Sequence, residues 1–303
     1  MQRDASSSSD LPQQKFGAHV EPRSRCCRIL RFRFDRWSVD KTVKNALKSG
    51  GDWNPLKRHW REDKTAFGAI VTTPSPQIVQ WMAQADLDWI LIDLEHGAID
   101  LAAAHAMIAA TSGTDLVPLV RVASKDGWQA KIPMDLGALG VCFPMTTTRA
   151  DAEAAVRATK YPPEGERLWG PFSAAPRWGV SVRDYVAKAN DEMLAVGTLE
   201  HVDAVRSVKE IASTPGLDVL FIGPGDLATS MGLKGCTDSP EMADVVRKLE
   251  EGVLRSDAVL GGVATTADQA NAMIEKGYRM LVLGFDWSLL QRGIAAALAG
   301  VRR

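Results

Sequence analysis

No apolar run in this sequence approaches the ~20 residues that a membrane-spanning helix requires. The opening residues, MQRDASSSSDLPQQ, lack the apolar core of a secretory signal, and their early acidic residues disfavour a mitochondrial one, so a cytoplasmic location is expected. Cysteine is scarce: Cys26 and Cys27 are adjacent, and Cys142 and Cys236 lie far apart. None shows the paired spacing of a zinc site or a disulfide framework, and all four read as free thiols. An excess of either charge is also missing, since 36 Lys and Arg against 37 Asp and Glu leave a formal net charge of -1. That balance gives no electrostatic reason to expect nucleic acid or an anionic membrane as partner. What is present is core material, at 46% hydrophobic and 24% charged.

Residues 1–52 are rich in Ser, Arg and Lys, include SSSS and RCCRILRFRFDRW, and show no sustained apolar period. They read as a poorly ordered extension or as a basic aromatic arm for a partner or for targeting, ahead of a domain over 53–303. From NPLKRHW onward, short apolar runs alternate with amphipathic stretches. Eight runs are found: AFGAIVT (66–72), WILIDL (89–94), LVPLVRV (116–122), GVCFPM (140–145), MLAVGTL (193–199), DVLFIG (218–223), AVLGGVA (258–264) and MLVLGF (280–285). Between them lie helix candidates such as SPQIVQWMAQA, LAAAHAMIAA, RADAEAAVRATK, VDAVRSVKEIAS and TADQANAMIEKG, several opening on an N-cap residue. Eight strand-then-helix repeats predict a parallel (β/α)8 TIM barrel. A doubly wound open sheet is the rival, but the turn Thr72 to Ser75 carries no glycine-rich phosphate loop. The longest connection, Met145 to Met193, holds KYPPEGERLWGPFSAAPRWG and is expected over the barrel mouth.

In a barrel of this kind the active site collects at the C-terminal ends of the strands. There the sequence places Asp93, Glu95 and His96, then Arg121, Glu200, Asp226 and Asp286. Glu200 and Asp226 end neighbouring strands, and two facing carboxylates stay ionised together when a cation lies between them, which points to Mg²⁺ or Mn²⁺. The same two acids equally read as surface groups or as partners for Lys and Arg. In FIGPGDLA the turn aims the backbone N–H groups of Gly225 and Asp226 at one anion, reinforced by a helix start at Leu227. The lack of a following Lys-Ser or Lys-Thr favours a carboxylate over a nucleotide. His96 fits a general base, given a carboxylate to fix its tautomer, for which Asp135 is the candidate. Arg121 would stabilise an oxyanion, or else pair with Asp93 or Glu95.

The segments DWILIDLEHG, PLVRV, MDLGALGVCFPM, ATKYPPEG, Leu199-Glu200, GLDVLFIGPGDLATSMG and LVLGFDWSLL resemble, in order, the class II pyruvate aldolases of the HpcH/HpaI family. The resemblance runs from about Asn54 to Leu298. It implies a lyase acting on small 2-oxo acids and aldehydes, with a divalent metal at Glu200 and Asp226. It further implies His96 as base, Asp135 as the acid raising its basicity, Arg121 at the transition state, and Gly225 and Asp226 receiving the substrate carboxylate. A homo-oligomer, trimer or hexamer, with its last helix exchanged between subunits, is implied as well. Thr198 stands at a substrate-binding position where the family usually has glutamine, and Trp169 and Phe172 follow KYPP where an arginine-glycine step is usual. Those aromatics predict a large or apolar acceptor. An oxaloacetate decarboxylase, an enolate-trapping synthase and a catalytically silent barrel are the alternatives.

Overall fold

The computed structural model describes residues 53–302, in which eight parallel strands close into a barrel in chain order. They are β1 (Ala66–Val71), β2 (Trp89–Asp93), β3 (Val117–Arg121), β4 (Gly140–Phe143), β5 (Leu194–Leu199), β6 (Val219–Ile222), β7 (Val259–Val263) and β8 (Met280–Phe285). Each falls inside one of the eight apolar runs. Strands covered on both faces read as continuous apolar stretches rather than alternating ones, and every residue of β2 to β6 is buried. The extension over 1–52, with Cys26 and Cys27, lies outside the described residues; Cys142 and Cys236 are free thiols.

The helices are α1 (Pro55–Arg61), α2 (Pro76–Met82), α3 (Leu101–Ala110), α4 (Trp128–Leu136), α5 (Arg149–Thr159), α6 (Ala174–Arg177), α7 (Val182–Glu192), α8 (Ala204–Ala212), α9 (Pro224–Ser230), α10 (Pro240–Val253), α11 (Ala267–Glu275) and α12 (Asp286–Leu298). Their starts follow the capping chemistry: the side chains of Ser75, Asp100, Thr148 and Thr266 each accept a backbone N–H from the first turn. Such caps end the preceding loop at a fixed residue and so fix where the strand ends point. No helix among the described residues is long and apolar enough to cross a membrane. Asp286 closes the barrel, accepting from Thr72 N, Thr72 Oγ1 and Thr73 N at 3.2, 2.9 and 2.9 Å, which ties β8 to the end of β1. The strand-end acid at 286 is thus a structural tie.

The long connection after β4 does not cover the mouth. Helix α5 carries the chain back to the N-terminal face, and the following segment stays there. Trp178 donates to Gly137 O at 2.9 Å in the turn before β4, Arg177 Nε reaches Ile108 O at the end of α3, and Lys160 Nζ reaches Met193 O at the start of β5. Trp53 seals this floor edge-on against Trp178 and Tyr185, at ring separations of 6.3 and 5.5 Å. Asn54 locks the same face by donating to Glu192 Oε2 and to its carbonyl at 2.8 and 2.7 Å. Trp169 and Phe172 are exposed, beside the C-terminal end of α4 and away from the mouth of their own barrel, so they do not form the expected acceptor rim.

Candidate active site

A cavity of about 240 Å³ opens among the C-terminal strand ends. His96, Arg121, Thr198, Glu200, Gly225 and Asp226 line it above an apolar floor that includes Leu91, Leu119, Val196 and Phe221. Of the seven residues to which the sequence assigned a catalytic, substrate-binding or metal-binding role, six therefore meet at one place. Asp135 does not join them. It sits at the last turn of α4, on the N-terminal side, where its Oδ1 accepts from Arg167 Nη2 at 3.1 Å. Arg167 is buried there between the rings of Tyr161 and Tyr185. The carboxylate beside His96 is instead Glu95, with Oε2 3.8 Å from the imidazole Nε2.

Asp93 organises the mouth, and its role follows from strand register. Asp93 of β2 lies directly across from Arg121 of β3, so the two side chains leave the sheet on the same side. Arg121 donates from Nε to Oδ1 at 2.9 Å and from Nη2 to Oδ2 at 2.6 Å, a two-pronged charge-assisted pair. Oδ1 also accepts the backbone N–H of Glu95 and of His96, at 3.0 and 3.3 Å. One fully buried carboxylate thus fixes both the guanidinium and the turn that carries the imidazole. Gly97 completes that turn, because a β-carbon there would stand 2.3 Å from Asp93 O.

The charge state of these groups follows from their burial. Burial opposes the charge on Arg121, but hydrogen bonds and charge from Asp93 outweigh it and hold the pKa above the ordinary arginine value. Arg121 Nε also lies 3.2 Å from Glu95 Oε2, an ion-pair contact without hydrogen-bond alignment, since its proton is already given to Asp93. Burial pushes the Glu95 carboxyl above its ordinary value of 4.5, and Arg121 offsets this only in part. Burial likewise pushes the Cys142 thiol up, so this cavity-wall cysteine is neutral. Because the folded chain favours protonated Glu95, this group costs stability as pH rises from 4.5 through its folded pKa. Glu95→Gln, neutral throughout, is therefore expected to be more resistant to urea than the wild type near pH 7. The gain should vanish below about 4.5; an equal difference at both pH values would contradict this account.

Glu200 follows β5 and is buried, with 3% of its surface exposed. Its Oε1 accepts Met145 N at 2.6 Å and lies 2.8 Å from Thr198 Oγ1. Oε2 accepts no hydrogen bond among the described residues and lies against Gly223, where a β-carbon would stand 3.2 Å from it. Gly223 is needed for this close approach. Asp226 belongs to α9, which starts at Pro224, three residues before the expected Leu227, because proline suits the first helical position. Gly225 and Asp226 accordingly lie in the first turn, where backbone N–H groups have no partner within the helix. The Asp226 carboxylate is solvent-facing. Among the described residues no group of three or more His, Cys, Asp or Glu converges to hold a metal. The acids lining the cavity are Glu200 and Asp226, and a carboxylate pair of this kind would suit a hard cation that takes its remaining oxygens from water and substrate.

Sequence reasoning named Asp93 and Glu95 as strand-end acids but assigned neither a role beyond pairing with Arg121. The available signal was their spacing from that arginine on a neighbouring strand. The part played by the Met145 backbone had no signal at all, because any residue supplies an N–H.

A model of the HpcH/HpaI aldolase/citrate lyase family matches residues 67–292. This chain belongs to that family. It is accordingly a lyase of the aldolase type, which sets aside the silent barrel. A hydroxypyruvate/pyruvate aldolase of Paraburkholderia phytofirmans is 31% identical over 255 residues, covering 82% of this chain and 98% of that one. A 4-hydroxy-2-oxo-heptane-1,7-dioate aldolase of Escherichia coli is 31% identical, covering 78% and 94%. The crystal structure of a family member from Burkholderia cenocepacia J2315 superposes with a TM-score of 0.77 at 32% identity, covering 82% of this chain and all of that one.

Proposed function

We propose that this lyase cleaves and forms 4-hydroxy-2-oxo acids, exchanging them with pyruvate and an aldehyde, with Mg²⁺ or Mn²⁺ at Glu200 and Asp226. One observation carries the reading. A buried carboxylate with a single free oxygen shares a cavity with a second, solvent-facing carboxylate, a fixed guanidinium and an imidazole. When bound, the cation would supply Lewis-acid stabilisation of negative charge on the 2-oxo oxygen.

The remaining steps fall to the protein. The N–H groups of Gly225 and Asp226, in the first turn of α9, receive the substrate carboxylate. His96 takes the proton from the C4 hydroxyl, the C3–C4 bond breaks, and the aldehyde leaves. The electron pair left on C3 delocalises to the 2-oxo oxygen as an enolate, near the permanent charge of Arg121. Asp93 takes one N–H from Nε and one from Nη2, which leaves three of the five N–H groups of this cavity-lining guanidinium. Condensation runs the same steps backward, with His96 returning the proton. Asp135, on the other face of its own barrel, has no part in this account, and Glu95 supplies the negative charge beside His96.

The reading extends to a homo-oligomer. Trp287, Leu290, Ile294 and Leu298 form an exposed apolar stripe on α12. A groove between α3 and α4, lined by Ile99, Leu101, Trp128 and Ile132, offers a second apolar surface.

The deciding experiment supplies 4-hydroxy-2-oxo acids with Mg²⁺ or Mn²⁺ and follows pyruvate. Release is expected with metal and should disappear with EDTA. Undiminished release in EDTA would refute the metal role. Carbon dioxide from oxaloacetate without any aldol cleavage would assign a decarboxylase instead.

A further inference from the structure

We propose that Thr198 is a positioning residue for Glu200: together with the backbone N–H of Met145 it engages Oε1, so that the carboxylate meets its cation through Oε2 alone. The inference rests on the metal reading above and deepens it. It also replaces the substrate contact expected for Thr198 with a contact to the ligand carboxylate.

Three observations converge. The Thr198 hydroxyl lies 2.8 Å from Glu200 Oε1 and 3.0 Å from Phe143 O, and it has a single proton to give. The charged carboxylate is the stronger acceptor of the two, so the proton goes there. Met145 N–H donates to the same oxygen at 2.6 Å, from a backbone with φ of 55°. That left-handed conformation is disfavoured for any residue with a β-carbon. It turns the chain after β4 so that this amide faces Glu200, the kind of local strain that accumulates at functional sites. Finally, Thr198 and Glu200 are each 3% exposed, so packing fixes both side chains, while Oε2 lies over the space that Gly223 leaves free.

The consequence is a ligand aimed before any cation arrives. With Oε1 taking two hydrogen bonds, Glu200 offers one oxygen instead of two. A cation bound through one oxygen of Glu200 and through Asp226 keeps the greater part of its coordination sphere for water and for the paired oxygens of a 2-oxo acid. A longer amide side chain at 198 would reach past Oε1 into the cavity, whereas threonine ends at the carboxylate.

The test measures the dissociation constant of Mn²⁺ alone, by the electron paramagnetic resonance of the free ion, for the full-length wild type, Thr198→Val and Thr198→Ser. Outer partners of metal ligands change affinity by roughly 10- to 100-fold. Thr198→Val, which keeps shape and loses the hydroxyl, is expected to weaken Mn²⁺ binding about tenfold. Thr198→Ser should stay within about twofold of the wild type, and the KM for pyruvate at saturating Mn²⁺ should not change in either. Thermal unfolding verifies that each variant folds, and Thr198→Ala replaces the valine variant if that one does not. Unchanged Mn²⁺ affinity in the valine or alanine variant overturns the proposal. So does a serine variant as weak as valine, or a raised KM with metal binding intact, which would make Thr198 a substrate contact. A wild type that binds no Mn²⁺ overturns the metal reading itself.

Discussion

Glu200→Gln is expected to lower metal-dependent pyruvate release about a thousandfold, the equivalent of the several kcal/mol that a bound cation supplies to a developing oxyanion. The substitution preserves shape, and the amide oxygen still accepts the bonds that Met145 N and Thr198 Oγ1 make to Oε1. What it removes is the negative charge on a side chain that is 3% exposed. A buried carboxylate is costly when nothing opposes it, so thermal stability without metal should stay level or rise slightly. Loss of activity with stability retained is the signature of a metal ligand. A variant within tenfold of wild-type kcat/KM at saturating Mn²⁺ would remove Glu200 from the donor set.

The largest loss of stability is expected from Asp93→Ala. Asp93 is fully buried and Arg121 nearly so, and their contact is two-pronged. Deleting one partner of a buried pair leaves the other charge uncompensated, which costs about 3–5 kcal/mol. For a domain of this size that corresponds to a fall of roughly 10 °C in Tm. The substitution also releases the N–H groups of Glu95 and His96, so the imidazole and the guanidinium lose their positions together. A fall in kcat/KM of about a hundredfold should accompany the lower Tm, in keeping with the effect of misplacing catalytic groups. Arg121→Ala tests the same pair from the other side. It should also destabilise, and the double variant should cost less than the sum of the two, since each single change already breaks the contact. Additive costs would show that the two side chains act independently.

The stretch WILIDLEHG shows how far local pattern reaches. Four apolar residues followed by three ionisable ones read as a strand leaving the core, and β2 does end at Asp93. The spacing of Asp93 from Arg121 admitted a salt bridge. It did not reveal that one carboxylate makes the bridge and also caps the turn holding His96: the cap is local, to N–H groups two and three residues ahead, but the bridge depends on register between strands separated by α3. The segment KYPPEGERLWGPF was misplaced for a related reason. Its length and aromatic content suggested a lid, yet the helix over 149–159 had already returned the chain to the N-terminal face before that segment begins. The place of Asp135 within its own barrel was hidden from the sequence in the same way. Two turns of α4 separate it from the mouth of its own barrel, and sequence position beside β4 does not show which end of the strand a residue accompanies.

The sequence by itself determined the barrel: eight doubly buried strands need eight continuous apolar runs, and a neighbour-to-neighbour parallel order needs a helix between each pair, both of which are written locally. It also placed most of the chemistry, because polar groups at the ends of apolar runs must lie where strands emerge. Only the tertiary structure decided which carboxylate serves which partner. Asp93 went to Arg121, Asp135 to Arg167, Glu95 to His96, and one oxygen of Glu200 to Thr198 and Met145. Such pairings are set within a few ångströms by register, helix direction and burial, and residues distant along the chain fix all three.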